Sequence, residues 1–151
     1  MKVLVTGARG FIGNAVLKEL NNQRISFVAI GRSCPEGIAE KNFISVDLSK
    51  QTIASLTQVL KKAECTHLLH LAWFVEPNQF WESQENIDWV AYSLTLFRAF
   101  QASGGNVIVG TGSCAEYGNS KEILSETFDE GTPSSLYGTA KLSLRNIAAS
   151  W

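Results

Sequence analysis

Three glycines near the start of the chain constrain its fold more than any other feature. The opening segment from Lys2 to Gly13 reads KVLVTGARGFIG, with glycines at positions 7, 10 and 13. A short apolar run from Val3 to Val5 precedes them. A helical pattern follows them, with one apolar stripe formed by Phe11, Ile12, Ala15, Val16 and Leu20. Strand, glycine turn and helix in this order predict the phosphate-binding unit of a dinucleotide-binding fold.

Each glycine has its own expected place in this unit. Gly7 allows the tight turn, Gly10 lets a pyrophosphate approach the backbone, and Gly13 lets the helix pack close to the strand. The helix N-terminus then offers backbone N–H groups and a positive dipole end to the phosphates. The alternative is an ordinary glycine turn. We favour dinucleotide binding because the pattern fits on both sides of the glycines.

Bulk composition narrows the class of protein. The chain has 151 residues, 45% of them hydrophobic, which predicts one domain over residues 1–151. A net charge of -1 gives no field that would recruit nucleic acid or an acidic membrane. No apolar run approaches the roughly 20 residues of a membrane span, and the chain opens on a strand pattern instead of a signal segment. Cys34, Cys65 and Cys114 show no paired spacing, so we expect reduced thiols and a cytoplasmic protein.

Strand-like and helix-like segments alternate along the rest of the chain. Further strands are predicted over residues 25–30, 42–46, 66–72 and 105–110, and further helices from about Thr52, over residues 83–103 and over residues 134–151. A loop containing Asp129 leads to the last helix, for which Ser134 and Ser135 are the candidate caps. This order predicts an α/β fold with a Rossmann-like, doubly wound parallel sheet.

The end of the second strand bears on the choice of cofactor. An acidic residue at this place would bind the ribose hydroxyls of NAD, but the chain has Gly31 followed by Arg32. An arginine pairs with a 2′-phosphate instead, and Arg9 in the glycine turn adds a second positive charge. We therefore predict NADP over NAD. The alternative is that both arginines are solvated surface residues.

Three other segments carry polar or aromatic side chains. Asp47 follows the third strand, where it either accepts from the adenine amino group, caps the next turn, or does both. His67 and His70 point to opposite faces of a strand, which does not suit a shared metal, so no metal site is predicted. The aromatic segment from Trp73 to Trp81 is a candidate wall of a substrate pocket, with surface packing as the alternative.

The helix predicted over residues 83–103 is apolar on two sides. One face is formed by Ile87, Val90, Leu94 and Phe97, and the other by Trp89, Tyr92, Leu96 and Phe100. A helix of this kind must be covered on both sides. We expect one face to pack on the sheet and the other on a neighbouring helix or a second subunit, and we predict a homodimer.

Three side chains are expected at the ligand-binding edge of the sheet, namely Ser113, Tyr137 and Lys141. Tyr137 and Lys141 are four residues apart and share a helix face. A phenol with a pKa near 10 is a poor base, but a neighbouring ammonium lowers that pKa. Tyr137 would then exchange a proton with a substrate oxygen while Ser113 positions that oxygen.

Five motifs in this order resemble the extended short-chain dehydrogenase/reductases, and more narrowly the NAD(P)-dependent epimerase/dehydratase group. They are residues 6–13 (TGARGFIG), Asp47-Leu48, residues 70–72 (HLA), Ser113 four before Tyr117-Gly118, and residues 137–141 (YGTAK). The resemblance implies a nucleotide-sugar substrate, a Ser113, Tyr137 and Lys141 triad, and dimers that pair helices 83–103 and 134–151. It also implies cofactor contacts from Gly7, Arg9, Gly10, Phe11, Ile12, Gly13, Arg32, Asp47, Leu48, Leu71, Ala72, Trp73, Asn86, Tyr137 and Lys141.

Two departures from the family pattern refine this expectation. Its sugar 4,6-dehydratases carry Thr-Asp-Glu where this chain has Ser113-Cys114-Ala115, so we expect epimerisation or 4-keto reduction, with Arg32 favouring a reductase. The family is also typically much longer, since further strands and a substrate subdomain follow the lysine helix. We therefore expect the 151-residue chain to turn over poorly by itself. The alternative function is an inactive NADP-binding or sensor module, or an inactive fragment.

Overall fold

The chain forms two compact units in the computed structural model, which describes residues 1–118, 123–125 and 131–151. The sheet unit comprises Met1–Ala72 and Thr95–Gly110, and the helical unit comprises Trp73–Leu94 and Thr111–Trp151. The predicted loop position Asp129 lies outside the described residues.

Five parallel strands form the centre of the sheet unit. They are β1 (Lys2–Thr6), β2 (Ser26–Gly31), β3 (Phe43–Ser45), β4 (His67–His70) and β5 (Val107–Gly110), arranged in the order β3-β2-β1-β4-β5. The chain runs outward from β1 through β2 to β3 and then returns to place β4 on the other side of β1. This reversal is the topological switch point at which doubly wound sheets bind ligands. The predicted fold class is therefore confirmed.

The described residues also form four α-helices. They are α1 (Phe11–Asn22), α2 (Ile53–Ala63), α3 (Glu85–Ala102) and α4 (Leu136–Ala149). The start predicted for α2 near Thr52 is confirmed, because the Thr52 hydroxyl caps the helix by accepting from the Ser55 N–H at 3.1 Å. None of the described helices is long and apolar enough to cross a membrane.

The core of the sheet unit lies on both faces of β1. Val3, Leu4 and Val5 alternate between the two faces, yet none is more than 7% exposed. Such burial on both faces is expected of a parallel strand that is covered by helices on either side.

The apolar stripe predicted for α1 is confirmed at Val16 and Leu20, which pack against the core of the sheet unit, and is wrong at Phe11 and Ile12. Gly13 and Leu17 are buried, whereas Phe11 is 97% exposed and Ile12 is 53% exposed. The reason is the position of Gly13, where an added Cβ would collide with the Gly7 carbonyl oxygen. A helix that packs its glycine face on the turn must leave Phe11 and Ile12 outside.

The two-sided burial predicted for α3 holds for its C-terminal half and fails at Ile87. Leu96, Phe97 and Phe100 come from both predicted faces and are all at most 2% exposed. Because the single chain already buries Leu96 and Phe100, these residues give no reason for a second subunit. Ile87 was predicted to lie on one of the two covered apolar faces but is 52% exposed, while its polar neighbour Asn86 is fully buried.

Candidate functional site

The glycine turn after β1 depends on the absence of side chains. Gly7 has a φ of +67°, and a Cβ there would lie 2.6 Å from the Leu71 carbonyl carbon and 2.7 Å from the Ala72 nitrogen. The Gly10 N–H donates to the Gly7 carbonyl oxygen at 2.9 Å, which closes the turn. Only glycine fits position 7, since a side chain would meet both an unfavourable φ and the backbone that follows β4.

The N-terminus of α1 is suited to an anion. Gly10 is the residue that precedes the helix, it has no side chain to cap the first turn, and no acidic residue occurs in that turn. The positive end of the helix dipole is therefore not offset by a carboxylate in this turn. These features fit a pyrophosphate, which backbone N–H groups at a helix N-terminus bind well.

Thr6 fixes the backbone that faces the turn. Its hydroxyl oxygen accepts from the N–H groups of Leu71 at 3.1 Å and Ala72 at 3.2 Å, and it lies 2.8 Å from the His70 Nδ1. Since the oxygen accepts twice, its hydrogen is directed to Nδ1, which makes that nitrogen an acceptor. The bonds bring the predicted cofactor residues Leu71 and Ala72 next to Gly7. Sequence reasoning missed Thr6, although a threonine ending an apolar strand was a usable signal.

Two arginines and a serine gather near the end of β2. The Arg9 guanidinium donates to the Ser33 hydroxyl, and the exposed Arg32 is the residue before Ser33. A Cβ at Gly31 would have nothing within 4 Å, so the end of the strand is open. This group can meet an anion with two cationic side chains and a hydroxyl. Ser33 was not predicted as part of it.

Asp47 caps the short turn Leu48–Lys50, as one of its two predicted roles required. Its carboxylate accepts from the Ser49 hydroxyl at 2.8 Å and from the Ser49 N–H at 3.2 Å. These bonds, with smaller effects of Lys50 and Arg32, lower the pKa of Asp47, and burial opposes them. The Arg32 guanidinium is therefore close enough to Asp47 for its positive charge to lower the pKa of the carboxyl. The adenine contact of Asp47 stays a prediction.

Ser113 lies at the start of a short helical turn, Cys114–Tyr117. Its hydroxyl oxygen accepts from the Ala115 N–H at 3.2 Å. This bond uses a lone pair and leaves the hydroxyl hydrogen to donate elsewhere. A serine held in this way can donate to an oxygen of a ligand.

Helix α4 carries Tyr137 and Lys141 and packs closely on the Ser113 turn. The Ser135 hydroxyl caps the helix by accepting from the Gly138 N–H at 3.1 Å. A Cβ at Gly138 would collide with the Ala115 carbonyl oxygen, so glycine is what allows this approach. Sequence reasoning named the flanking tyrosine and lysine but gave Gly138 no role.

Lys141 is the most constrained of the three predicted catalytic residues. It is 6% exposed, its Nζ donates to the Thr111 carbonyl oxygen at 2.6 Å, and the same atom lies 4.5 Å from the centroid of the Trp73 ring. Burial lowers the pKa of the Lys141 ammonium, and the negative charge of Glu116 partly opposes the shift. The helical unit thus holds a buried cation one turn from Tyr137.

Asn86 supports the Trp73 ring from inside the helical unit. Its Oδ1 accepts from the Trp73 indole N–H at 2.9 Å, while its Nδ2 donates to the carbonyl oxygens of Phe80 at 2.6 Å and Ser83 at 2.9 Å. Both amide hydrogens are therefore used by the chain. The bonds connect Asn86 through Trp73 to Lys141, which makes it a support of the lysine.

Two aromatic rings border Tyr137. The centroid of its ring is 5.0 Å from that of Phe80 and 5.7 Å from that of Trp81, in edge-to-face geometry. Both belong to the segment that was predicted as a pocket wall. Trp81 is 49% exposed, so part of its ring remains accessible beside the phenol.

Glu116 is a buried carboxylate that sequence reasoning missed. It is 1% exposed, accepts from the Ser113 N–H at 2.8 Å, and pairs with the Arg145 guanidinium at 3.1 Å. The only local signal was a charged residue beside the Tyr117-Gly118 pair.

In the described part of the chain, no group of three His, Cys, Asp or Glu side chains is arranged to hold a metal ion.

The parallel sheet and its glycine turn define a Rossmann-type dinucleotide-binding protein. The chain belongs to the NAD dependent epimerase/dehydratase family, whose model matches residues 3–151.

Similar proteins of known activity are sugar-nucleotide enzymes. The chain is 38% identical over 79 residues to dTDP-6-deoxy-L-talose 4-dehydrogenase (NAD(+)) of Aggregatibacter actinomycetemcomitans, which covers 48% of this chain and 27% of that protein. It is 28% identical to UDP-glucose 4-epimerase of Rhizobium leguminosarum bv. trifolii, covering 99% of this chain and 46% of that protein.

The solved structure of MoeE5 in complex with UDP-glucose and NAD matches with a TM-score of 0.81 and 30% identity. The match covers 99% of this chain and 48% of that one. The chain therefore spans about half the length of the epimerase and of the MoeE5 structure.

Proposed function

We propose that the chain carries the cofactor-binding and proton-transfer residues of an NAD(P)-dependent oxidoreductase that acts on a nucleoside diphosphate sugar. The observation that carries the proposal is Lys141, which is buried, bonded to the Thr111 carbonyl oxygen at 2.6 Å, and one helical turn from Tyr137. A buried ammonium at this place has a clear use if it stabilises a phenolate. The named activities of the relatives support the same class of reaction.

The proton-transfer chemistry follows from the three side chains. A bound nicotinamide cofactor supplies or accepts the hydride. Tyr137 accepts the proton of a sugar hydroxyl during oxidation and returns one to the carbonyl oxygen during reduction. Lys141 holds its positive charge one helical turn from Tyr137 on the same helix. The Ser113 hydroxyl hydrogen, which its cap leaves available, donates to the same sugar oxygen and positions it.

Reduction of a 4-keto sugar or epimerisation fits the site better than dehydration. Dehydration needs an acid and a base besides the tyrosine, and Cys114 and Ala115 supply neither. Glu116 is the next acidic residue in the chain, but it is 1% exposed and already binds the Ser113 N–H and Arg145. It is therefore not available to a leaving hydroxyl. We favour the 4-keto reductase over the epimerase because of the cofactor proposed next.

NADP is the proposed cofactor, held in part by Arg9, Arg32 and Ser33. The Arg9–Ser33 bond and the adjacent Arg32 make a cationic group at the end of β2, where a 2′-phosphate would pair with it. NAD lacks this phosphate and gains nothing from the arginines. The MoeE5 structure contains NAD, and the arginine group is our reason for proposing a different preference here.

Replacing Gly31 with Asp tests the cofactor preference. Because a Cβ at Gly31 has open space, the change should leave the fold intact. The new carboxylate would accept from ribose hydroxyls and repel a 2′-phosphate, so the NADP-to-NAD affinity ratio should fall roughly 10- to 100-fold. Fluorescence titration with each reduced cofactor gives both dissociation constants, and Gly31→Ala is the control. Tighter binding of NAD by the wild-type chain would overturn the NADP proposal.

A coupled assay tests the reaction itself. The natural polypeptide that contains residues 1–151 is incubated with NADPH and a panel of nucleoside diphosphate 4-keto sugars. A reductase oxidises one cofactor for each sugar reduced, whereas an epimerase interconverts sugars without net cofactor consumption. Loss of NADPH absorbance matched to product supports the reductase. Absence of both activities across uridine and deoxythymidine sugars would contradict the proposal.

The family resemblance also leads us to retain two assembly proposals. Residues 1–151 are taken as one NAD(P)-binding domain, and the protein as a homodimer through α3 and α4. Ile87 on α3 and Ile147 on α4 are 52% and 43% exposed, which suits residues of a subunit contact. Sedimentation at micromolar concentration measures the mass, and a monomer would count against the dimer.

A further inference from the structure

Glu116 is a buried carboxylate that the proposed proton transfer does not use. Its Oε1 accepts from the Ser113 N–H at 2.8 Å, and its Oε2 pairs with the Arg145 guanidinium at 3.1 Å. A glutamate at this position of a helical turn is an ordinary capping residue, which needs no burial. Here it is 1% exposed and ion-paired, so the fold desolvates a charge to make these contacts.

Arg145 connects this carboxylate to the helix that carries the reactive tyrosine. Tyr137, Lys141 and Arg145 are spaced four residues apart on α4 and therefore share one face. The Arg145 guanidinium also donates to the Tyr117 hydroxyl at 3.0 Å, at the other end of the Ser113 turn. The Arg145 guanidinium thus binds the turn through an ion pair with Glu116 and a hydrogen bond to Tyr117.

Lys141, one helical turn before Arg145, binds the segment that contains the Ser113 turn. Its Nζ donates to the Thr111 carbonyl oxygen, two residues before Ser113. The segment from Thr111 to Tyr117 is therefore tied to α4 by two cations, one at each end. The segment is closely packed between these two contacts, because a Cβ at Gly112 would lie 3.1 Å from the Glu116 carboxylate.

We propose that Glu116 and Arg145 are a positioning pair that locks the Ser113 turn onto the Tyr137 face of α4. This inference rests on the proposed function. The pair does not touch substrate or cofactor in our account. It sets the distance and angle between the Ser113 hydroxyl and the Tyr137 phenol, and a displacement of about 1 Å at such a place costs on the order of 100-fold in rate.

The pair also adjusts the charge next to Tyr137. Glu116 opposes the lowering of the Lys141 pKa, while Arg145 is a cation bonded to Glu116. Removing Glu116 should lower the Lys141 pKa further, and removing Arg145 should raise it. The two changes thus have opposite electrostatic effects but the same effect on position.

The experiment compares Glu116→Gln with Arg145→Met, and Glu85→Gln serves as the control on an exposed carboxylate. If the pair positions Ser113, both variants should lose about 10- to 100-fold in kcat, with little change in the cofactor Kd. Their Lys141 pKa values, followed by NMR of the labelled side chain, should move in opposite directions. Arg145→Lys keeps the charge and should regain part of the lost kcat. If Arg145→Met does not fold, the double variant Glu116→Gln/Arg145→Met takes its place. Its kcat should equal that of the single variant Glu116→Gln.

Two results would overturn the pair. One is an unchanged Lys141 pKa and unchanged hydrogen exchange of the Ser113 N–H in folded Glu116→Ala, for which we expect faster exchange. The other is a kcat that falls in one variant and rises in the other, following the direction in which the Lys141 pKa moves. Charge alone would then explain the change, and the position of Ser113 would have no part in it. The NMR readouts need no substrate, so a wild-type protein without turnover would refute the proposed function while leaving the pair open to test.

Discussion

The two units hold their candidate residues by different means. In the sheet unit, the proposed cofactor residues are set by the backbone: the Gly7 φ of +67°, the contact of Gly13 with the Gly7 carbonyl, and the N–H groups held by Thr6. In the helical unit, the proposed catalytic residues are set by buried polar side chains, namely Asn86, Glu116 and Lys141.

This difference decides what each unit is sensitive to. A backbone arrangement that leaves no room for a Cβ responds to volume and is indifferent to pH. An arrangement of buried charges and amides responds to loss of a partner and to protonation, because each unpaired group carries its full desolvation cost. We therefore expect the helical unit to be most sensitive to substitutions that remove a buried charge. The sheet unit should be most sensitive to substitutions that add side-chain volume.

The largest effect is expected from Tyr137→Phe. Removing the phenol removes the proton donor and acceptor, so kcat should fall about 1,000-fold while the ring contacts with Phe80 and Trp81 persist. Cofactor affinity and the melting temperature should stay near those of the wild type. Steady-state kinetics and fluorescence titration on the natural polypeptide measure these quantities.

Tyr117→Phe is the matched control for that change. It removes a phenol whose hydroxyl accepts from Arg145, in the same unit but without a lysine one turn away. We expect less than a tenfold loss in kcat. Equal losses for the two tyrosines would mean that Tyr137 has only a structural role.

Gly13→Ala is expected to have the next largest effect, this time in the sheet unit. The added methyl group meets the Gly7 carbonyl oxygen and lies 2.7 Å from the Ala8 Cα, both rigid backbone atoms. We expect a loss of roughly 1–3 kcal/mol in the free energy of unfolding, together with much weaker cofactor binding. Denaturant titration and cofactor titration are the measurements. Gly110→Ala is the control, because a Cβ there has nothing within 4 Å.

The contrast between the units also explains what could be predicted from the sequence. The glycine turn and the alternation of strands and helices along the chain were predicted correctly because glycine spacing and apolar runs are local signals. Burial of Glu116 was not predictable, since it depends on α4 packing against a turn far away in the chain. The α1 stripe was wrong at Phe11 and Ile12 for a related reason, because packing of the helix at Gly13 leaves these two apolar residues exposed.

Lys141→Met tests the charge sensitivity of the helical unit by pH. Because burial lowers the Lys141 pKa in the folded chain, the protonated ammonium costs folding free energy near neutral pH. The wild-type free energy of unfolding should therefore gain a contribution as pH rises through the folded pKa toward about 10.4, the usual lysine value. Lys141→Met should lack this gain and should also lose turnover.

Lys18→Met is the control for the lysine change, since Lys18 is exposed on α1. It should keep the pH-dependent gain of the wild type. Denaturant titrations at neutral and alkaline pH give the comparison. A Lys141→Met curve parallel to the wild type would show that burial of the ammonium has no energetic consequence.

Asp47→Asn is expected to give the smallest effect and to test whether the sheet unit is indifferent to charge. Asparagine still accepts from the Ser49 N–H, so the loss at neutral pH should be a few tenths of a kcal/mol. Since the pKa of Asp47 is lowered, its contribution is present above about 3.9 and is lost as pH falls through the lower folded value. Denaturant titration in acid should show this loss in the wild type and in the control Glu76→Gln, but not in Asp47→Asn. A cost as large as that of Gly13→Ala would mean that charge matters as much as volume in the sheet unit, and the contrast between the units would fail.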